Sequence, residues 1–409
     1  MSFSTEGHGP TTMSWSSDAS TWSAGRDRGE YDGRAMADRC APAPEPAAFR
    51  RALLRWYQRH ERDLPWRRDA DPYRVWVSEI MLQQTRIETV IPYYGRFLDR
   101  FPTVAALARA DQHDVLKAWE GLGYYARARN LHRGARQLVE TGAGRLPESA
   151  EQWREIPGVG EYTAAAIASI TRDEVLPVAD GNVRRVVARV LDEARLEPGP
   201  MIGFLRAAID ARRPGDFNQA IMELGQAVCT PRSPACPACP IRSHCRALAA
   251  GTVDRVPERK PKRAVPHLEI AIGVCRRGSR FLVSRRRPEA MLGGLWEFPG
   301  GKIERGETAQ AALVREFREE VGIEVAAGSP LVVVPHRYTH LSVRLHAFHC
   351  RPKGNARARA IECAEVRWVT FEELHALAFP TANRKIITAL EAGLRPGPGP
   401  SRGSRSRVR

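Results

Sequence analysis

Residues 156–164 read IPGVGEYTA, and residues 178–183, a short distance downstream, read VADGNV. Gly158 and Gly160 permit a tight turn that presents backbone N–H groups at the start of a helix, an arrangement that suits a phosphate group. The apolar residues after Glu161 continue the helix. A turn of this kind is often a plain loop, but here Asp180 follows about twenty residues later. The two segments together predict a phosphate-binding helix start with a carboxylate beyond it.

The chain around this turn has helical periodicity. From residue 46 to about residue 248, apolar side chains recur at helical spacing between short connections that contain Gly and Pro. The clearest runs are 75–97 and 217–229, and we expect residues 78–85 to lie on the early helix of the first run. Residues 1–45 are rich in Ser, Gly, Asp and Ala, which predicts a disordered extension.

The composition indicates a polyanionic partner. The 409 residues carry a formal net charge of +16, and 43% of them are hydrophobic. That is enough apolar material for two folded domains, and the charge favours nucleic acid, unless it only reflects an Arg-rich proteome. We expect no secretory signal and no membrane span, because no apolar run of about 18 residues is present.

Four of the eight cysteines lie in one short segment, as Cys229, Cys236, Cys239 and Cys245. In a chain without a secretory signal, such clustering favours metal ligation over disulfides. Four thiolates can hold a [4Fe–4S] cluster or a structural Zn²⁺, and the spacing alone does not separate these two sites.

The hairpin turn followed by this cysteine spacing resembles the endonuclease III superfamily of DNA glycosylases, which implies a [4Fe–4S] cluster. Bifunctional members place a nucleophilic lysine two residues after the second hairpin glycine. This chain has Tyr162 there, so amine catalysis is not expected. Segments 64–67, 78–85 and 121–127 look like the MutY-type adenine DNA glycosylase family, and the similarity runs from about residue 55 to residue 248.

The resemblance implies roles for four catalytic residues. Glu79 is expected to protonate adenine at N7 and to help activate water, and Asp180 to stabilise or transiently attack the sugar cation. Tyr162 and Asn182 are expected to orient these groups. Cleavage of an N-glycosidic bond suits two carboxylates in different environments. Taken singly, each of these residues has an ordinary explanation as a surface or turn residue.

A second set of residues is expected to contact DNA. Because a duplex hides its base edges, adenine must be flipped out of the stack. By resemblance, Gln84 and Tyr124 wedge into the stack around the mispair. The full DNA-contacting set is Arg67, Gln84, Tyr124, Gly158 and Gly160.

The periodicity changes after residues 251–266, a basic, Pro-containing stretch that predicts a linker. Strands are predicted at 268–275, 280–284, 331–334 and 342–350, with a helix at 308–321. We therefore expect an α+β domain over residues 267–392. The basic, low-complexity residues 393–409 predict a disordered tail.

Residues 301–323 contain Gly301-x5-Glu307-x7-Arg315-Glu316-x2-Glu319-Glu320-x-Gly322, a complete Nudix box. Helical spacing places the carboxylates of Glu316, Glu319 and Glu320 on one face. Such a group suits Mg²⁺ or Mn²⁺ that bridges a diphosphate, although a charged, solvated helix face is the ordinary alternative.

Two further resemblances concern the oxidised base. Tyr338, Thr339 and His340 are similar to the Phe-Ser-His loop by which adenine glycosylases contact 8-oxoguanine, with Tyr and Thr as departures. Asn383 and Arg286 match residues by which MutT-type 8-oxo-dGTP pyrophosphohydrolases hold oxidised guanine. The second domain of adenine glycosylases has usually lost the Nudix box, so an intact box predicts additional hydrolysis of 8-oxo-dGTP.

We therefore predict a multidomain protein. Residues 46–250 form an all-α helix–hairpin–helix glycosylase domain with a [4Fe–4S] loop, and an α+β Nudix domain follows. It is expected to act as a monomer on duplex DNA in the bacterial cytoplasm, associated with the nucleoid, and to remove adenine opposite 8-oxoguanine or G. The alternatives are a Nudix pyrophosphohydrolase with a DNA-binding helical half, a non-catalytic lesion binder, and a thymine-mismatch glycosylase, against which Glu79 and the second domain argue.

Overall fold

A computed structural model describes residues 44–258, 264–339 and 341–394. Almost all of the predicted N-terminal extension and basic tail, part of the predicted linker, and His340 lie outside the described residues. Within the described ranges, no helix combines the length and apolar character needed to cross a membrane.

The N-terminal half is α-helical, as the periodicity predicts. Five helices begin after a capping residue whose side chain accepts a hydrogen bond from a backbone N–H of the first turn. These capping residues are Asp71, Thr103, Asp111, Ser149 and Asp180. The helices are α1 Pro46–His60, α2 Pro72–Leu82, α3 Ile87–Arg100, α4 Val104–Arg109, α5 Gln112–Ala118, α6 Ala126–Gly142, α7 Ala150–Arg154, α8 Glu161–Thr171, α9 Gly181–Leu191, α10 Pro198–Ala208, α11 Pro214–Ala227 and α12 Arg246–Ala249. Short 3₁₀ turns lie at Pro65–Arg67, Cys236–Ala238 and Arg242–His244.

The expectation of one early helix over residues 78–85 is wrong. Helix α2 ends at Leu82, and α3 begins at Ile87. Gln84 has a φ of 56°, in the left-handed region, which interrupts the helical hydrogen bonds. Apolar periodicity continues on both sides of this break, so the pattern of residues 75–97 could not show it. The break places Gln84 in a loop.

The helical half contains two apolar cores. Buried residues of α2 to α8 surround Trp76, Trp119 and Trp153, whereas those of α1 and α9 to α12 surround Phe49 and Phe217. Helix α8 packs against both α2 and α11. The residues at the facing ends of α2, α8 and α9 therefore border a cleft between the two cores.

The second half is α+β, as predicted. Its elements are β1 His267–Arg277, β2 Arg280–Arg285, β3 Trp296–Glu297, β4 Gly300–Lys302, α13 Ala309–Val321, β5 Val325–Arg337, β6 Ser342–Pro352, β7 Glu365–Val369, α14 Phe371–Ala376 and α15 Thr381–Leu394. The strand order is β3-β2-β1-β6-β5, with β4 paired to β1 and β7 to β2. β1 and β6 are parallel, and the other pairs are antiparallel.

Separate clusters of buried side chains surround α13 and α15. Four predicted elements correspond to β1, β2, β6 and α13, whereas residues 331–334 form only part of β5. β3, β4 and β7 are too short for their alternation to stand out in the sequence. The stretch predicted as a linker begins by packing on the helical half, where Val256 is buried and its carbonyl accepts a hydrogen bond from Arg189 Nε at 2.9 Å.

Candidate active site

The hairpin turn leads directly into α8. Gly158 has a φ of 81°, and a Cβ there would lie 2.7 Å from the Cβ of Asn130, so both conformation and space require glycine. Gly160 precedes the first helical residue and has open space around it. The turn and the apolar continuation of the helix thus form as the sequence indicates. The turn and the helix together place Tyr162, in the first turn of α8, in the wall of the cleft between the two cores.

One cleft of about 780 Å³ brings together residues that are far apart in the sequence. Glu79 comes from α2 and Tyr162 from α8, whereas Asp180 and Asn182 come from the start of α9. The predicted residues that line the cleft are Arg67, Glu79, Gln84, Tyr162, Asp180 and Asn182. Tyr124, Gly158 and Gly160 do not line it.

Glu79 is buried, with only 8% of its surface exposed. Burial, together with the nearby carboxylate of Asp180, raises the pKa of Glu79 to about 7, and Arg67 opposes this shift. A carboxyl group with a pKa near neutrality can hold a proton at physiological pH and release it to a leaving group. Glu79 therefore has the properties of a general acid.

Asp180 is in a contrasting environment. One carboxylate oxygen accepts a hydrogen bond from Val183 N at 2.7 Å, and the other accepts one from Asn182 Nδ2 at 2.8 Å. Asp180 also precedes α9, where the helix dipole favours negative charge. Asn182 is fixed in turn by Arg185 Nη2, which donates to its Oδ1 at 2.9 Å. This carboxylate is thus held in position to stabilise a cation in the cleft.

Tyr162 lies close to both acids. Burial, followed by the charges of Glu79 and Asp180, raises the pKa of its phenol above the usual range. Its hydroxyl group donates to Met222 Sδ at 3.0 Å. The phenol therefore stays protonated and can orient groups in the cleft.

Sequence reasoning missed Glu223 and Arg62, which line the cleft. Glu223 is 2% exposed and accepts hydrogen bonds from the backbone N–H of Arg62 at 3.2 Å and from its Nε at 2.9 Å. Its other oxygen lies 2.6 Å from Arg67 Nη1. These contacts fix Arg67 beside Glu79. The sequence offered one signal for Glu223, which is that it is the single acidic residue within the apolar run 217–229.

The two expected DNA-wedging residues lie at loop tips with strained backbones. Gln84 and Tyr124 have φ values of 56° and 48°, which non-glycine residues rarely adopt. Tyr124 is 40% exposed. A left-handed conformation in both loops is the kind of strain that marks functional positions.

One buried guanidinium holds both loops. Arg127 donates to the carbonyl oxygens of Met81 at 2.8 Å and Gln83 at 2.6 Å, and to that of Gly123 at 3.2 Å. It also stacks on the ring of Tyr124, with 5.4 Å to the ring centroid. Arg127 lies inside the segment 121–127, but nothing in its spacing indicated this role.

The four clustered cysteines line a single cavity together with apolar residues, Arg189 and Arg242. Arg189 Nη1 lies 3.2 Å from Cys229 Sγ, where an N–H donor stabilises a thiolate. Four soft sulfur ligands around one apolar cavity fit an iron–sulfur cluster. The ligands would be Cys229, Cys236, Cys239 and Cys245.

Three family profiles match successive parts of the chain. The HhH-GPD superfamily of base excision DNA repair proteins matches residues 77–196, the iron–sulfur binding domain of endonuclease III matches 229–245, and the NUDIX domain matches 271–389. The human adenine DNA glycosylase is 36% identical over 414 residues, which cover 86% of this chain and 76% of the human protein. The chain belongs to the adenine DNA glycosylase family.

Two further relatives support this family assignment. The adenine DNA glycosylase of Rattus norvegicus is 36% identical and covers 84% of this chain and 78% of its own length. That of Schizosaccharomyces pombe is 31% identical and covers 75% and 82%, respectively. These matches confirm the predicted family, the helical and Nudix halves, and an iron–sulfur cluster at residues 229–245.

The Nudix box of this chain is built around two glycines. A Cβ on Gly301 would lie 2.2 Å from the carboxyl carbon of Glu316, and one on Gly300 would lie 2.1 Å from the carbonyl oxygen of Ala271. Glu320 accepts a hydrogen bond from Gly300 N at 3.1 Å. Only glycine therefore allows the helix α13 carboxylates to approach this turn so closely.

The three box carboxylates differ in their surroundings. Arg315 pairs with Glu316 at 2.9 Å and with Glu319 at 2.8 Å, whereas Glu320 is buried. Burial, followed by the charge of Glu297, raises the pKa of Glu320 to about 7. Within the described part of the Nudix half, no three His, Cys, Asp or Glu side chains are already arranged around a single metal ion.

The expected base-reading residues lie in two places. Arg286 pairs with the carboxylate of Glu297 through two contacts of 2.8 Å, and Glu297 is a neighbour that sequence reasoning missed. Asn383 is buried and accepts a hydrogen bond from Phe298 N at 3.3 Å. Thr339, by contrast, reaches the helical half, where its hydroxyl contacts that of Tyr124.

Proposed function

We propose that this protein removes adenine mispaired with 8-oxoguanine, or with G, from duplex DNA. The observation that carries the proposal is the pair of Glu79 and Asp180 in one cleft, because burial raises the pKa of Glu79 whereas two N–H donors hold the carboxylate of Asp180. Two carboxylates kept in different environments suit acid-assisted cleavage of a glycosidic bond.

In the proposed reaction, Glu79 donates its proton to the flipped adenine while the N-glycosidic bond breaks and its electron pair leaves with the base. Asp180 stabilises the cationic sugar, either by charge or by transient attack. Water then adds its hydroxide to the sugar carbon, and Glu79 takes up the remaining proton. Adenine and an abasic site are the products. Tyr162 offers no amine, so the enzyme is proposed to be monofunctional.

Reading of 8-oxoguanine is assigned to the second half. Thr339 contacts Tyr124, which is expected to wedge into DNA. Burial raises the pKa of the Tyr338 phenol, and the nearby guanidinium of Arg286 opposes the rise. We propose that Tyr338, Thr339 and His340 contact the oxidised base, with Asn383 and Arg286 in support. His340 lies outside the described residues, and its role rests on the sequence.

The test is single-turnover base release, followed by alkali cleavage, from duplexes that hold A opposite 8-oxoguanine, A opposite G, and T opposite G. Release of adenine from the first two duplexes is expected, with little release of thymine. Glu79→Gln should abolish release, whereas Glu140→Gln, on the exposed surface of α6, should not. A fully folded protein that binds these duplexes and releases no base would leave a lesion-binding role instead.

A second candidate activity is hydrolysis of 8-oxo-dGTP. Its support is the intact box, in which Glu316 and Glu320 meet the Gly300–Gly301 turn. The bound metal ion would be Mg²⁺ or Mn²⁺. Metal-dependent release of pyrophosphate from 8-oxo-dGTP should fall in Glu316→Gln and persist in Glu79→Gln. No release by the purified wild type would contradict this second activity alone.

A further inference from the structure

The two halves of the molecule meet at a cluster of three charged side chains, Lys117, Glu120 and Arg384. Glu120 Oε1 accepts hydrogen bonds from Phe379 N at 2.8 Å and from Arg384 Nε at 2.6 Å. Its Oε2 accepts one from Lys117 Nζ at 2.9 Å. Glu120 and Lys117 belong to the helical half, whereas Arg384 and Phe379 belong to the Nudix half. This Glu120 cluster therefore joins the two halves directly.

Both cations of the Glu120 cluster also bind the chain just before α15. Lys117 Nζ donates to the carbonyl oxygens of His375 at 2.6 Å and Leu377 at 3.0 Å, and Arg384 Nη1 donates to that of Leu374 at 3.2 Å. The three charged side chains are only 17% to 25% exposed, so salt screens these charges less than it would on an open surface.

Apolar packing surrounds the Glu120 cluster. Leu295 and Ala378, from the Nudix half, are fully buried within the core of the helical half. Arg129 Nη1 donates to the carbonyl oxygen of Gly293 at 2.9 Å, and the hydroxyl of Tyr125 donates to that of Phe379 at 3.3 Å. Because this surface is packed on both sides of Glu120, loss of its charge should shift the two halves without separating them.

The segments that Glu120 joins carry Tyr124, which is expected to wedge into the DNA stack, and Asn383, which is expected to help read the oxidised base. Glu120 directly precedes the loop with Tyr124, which contacts Thr339 of the Nudix half. Phe379, whose backbone N–H donates a hydrogen bond to Glu120, lies four residues before Asn383. The carboxylate of Glu120 therefore holds the start of the loop with Tyr124 against the start of the segment with Asn383.

We propose that Glu120 is a positioning residue that sets the preference for 8-oxoguanine over G opposite adenine. It holds the Nudix half so that Thr339 meets Tyr124 at the mispair, and base release thereby depends on what the second half contacts. This inference rests on the proposed function, but it adds a residue that does not line the cleft.

The experiment compares Glu120→Gln with the wild type, as full-length protein, in single-turnover base release. The readout is the ratio of the rate on A opposite 8-oxoguanine to the rate on A opposite G. We expect the ratio to fall roughly tenfold, through the first rate, while the second changes less than about twofold. The matched control is Glu365→Gln, which breaks a partly buried ion pair of 2.9 Å with Arg285 inside the Nudix half and should leave the ratio unchanged.

Arg384→Met supplies a second, independent test. It should lower the ratio as Glu120→Gln does, and the double variant should lose less than the two single losses combined, because both changes remove the shared Glu120–Arg384 contact. Arg384→Met alone decides the matter if Glu120→Gln does not fold.

The outcomes separate the inference from the function beneath it. A wild type with equal rates on the two duplexes would overturn the proposed 8-oxoguanine reading, and this inference with it. A wild-type preference that survives in both variants, or rates that fall equally on both duplexes, would overturn the inference alone.

Discussion

Glu79 and Asp180 are chemically alike but lie in opposite surroundings. Glu79 lies in the buried wall of the cleft, where a charge loses hydration and faces a second carboxylate. Asp180 accepts two short hydrogen bonds at the start of a helix. The difference lets Glu79 hold a proton near neutral pH while hydrogen bonds fix Asp180 in place, and it is the physical basis of the proposed mechanism.

The pH dependence of base release follows from the raised pKa of Glu79. Since burial and Asp180 raise that pKa to about 7, the protonated and active fraction decreases as pH rises through this value. We expect the single-turnover rate to approach a tenfold fall per pH unit above about pH 8, as measured by quenched-flow assays. A rate that stays constant up to about pH 9 would show that Glu79 is not the acid.

The effect of Glu79→Gln on stability should also depend on pH. The unfolded carboxyl ionises near 4.5 and the folded one near 7, so within this window the unfolded chain releases a proton that the folded chain keeps. Stability of the wild type therefore decreases as pH rises through the window, by up to about 3 kcal/mol. The Glu79→Gln variant has no carboxyl group at this position, so it lacks this pH-dependent loss of stability.

We expect Glu79→Gln to melt above the wild type at pH 8 and close to it at pH 5, as measured by thermal denaturation. Glu140→Gln, whose carboxylate is exposed, should show no such difference. Equal melting temperatures at pH 8 would indicate that Glu79 is not buried as described.

Helices α9 and α11 approach closely where Gly225 faces Asn182. A Cβ on Gly225 would lie 2.7 Å from the Cβ of Asn182, whose side chain donates to Asp180. Gly225→Ala should therefore move Asn182, cost about 1–3 kcal/mol of unfolding free energy, and lower the rate of base release at least about tenfold.

Gly203→Ala is the matched control in α10, because nothing lies within 4 Å of its added Cβ. It should raise the unfolding free energy by about 0.4–1 kcal/mol, since alanine restricts the unfolded chain, and leave the rate unchanged. If the two variants behaved alike, in urea unfolding and in rate, close packing at Gly225 would not position Asn182.

The cysteine segment should hold iron through its four thiolates. Cys236→Ser should lower bound iron and the brown absorption of the purified protein, and weaken DNA binding, because the segment 229–245 loses the cluster that fixes it. Metal analysis by plasma emission and visible absorption would measure this. Cys363→Ala, in the Nudix half, should keep the iron of the wild type. Zinc in place of iron would contradict the assignment.

The whole molecule carries a formal net charge of +16, which should make its DNA binding strongly salt-dependent. Lysine and arginine side chains that neutralise phosphates release condensed counterions, so the logarithm of affinity decreases linearly with the logarithm of salt concentration. We expect an affinity loss of at least about tenfold between about 50 and 200 mM salt, measured by fluorescence anisotropy with an undamaged duplex. Salt-independent binding would exclude a basic DNA-binding surface.

The sequence by itself determined the features that depend on local spacing. The turn at Gly158, the four cysteines and the Nudix box each lie within one short segment, and there the spacing of residues sets the backbone geometry directly. Helical periodicity likewise predicted the all-α half, but it passed over the break at Gln84, since apolar residues continue on both sides of a single left-handed residue.

Tertiary structure alone decided which isolated polar residues matter. Glu223, Arg127 and Glu120 carry no motif, and each acquires its role only because distant segments fold against it. The raised pKa of Glu79 has the same origin, because desolvation depends on everything packed around a group. Short-range spacing is written in the order of residues, whereas burial and charge proximity arise only when segments far apart in the chain come together.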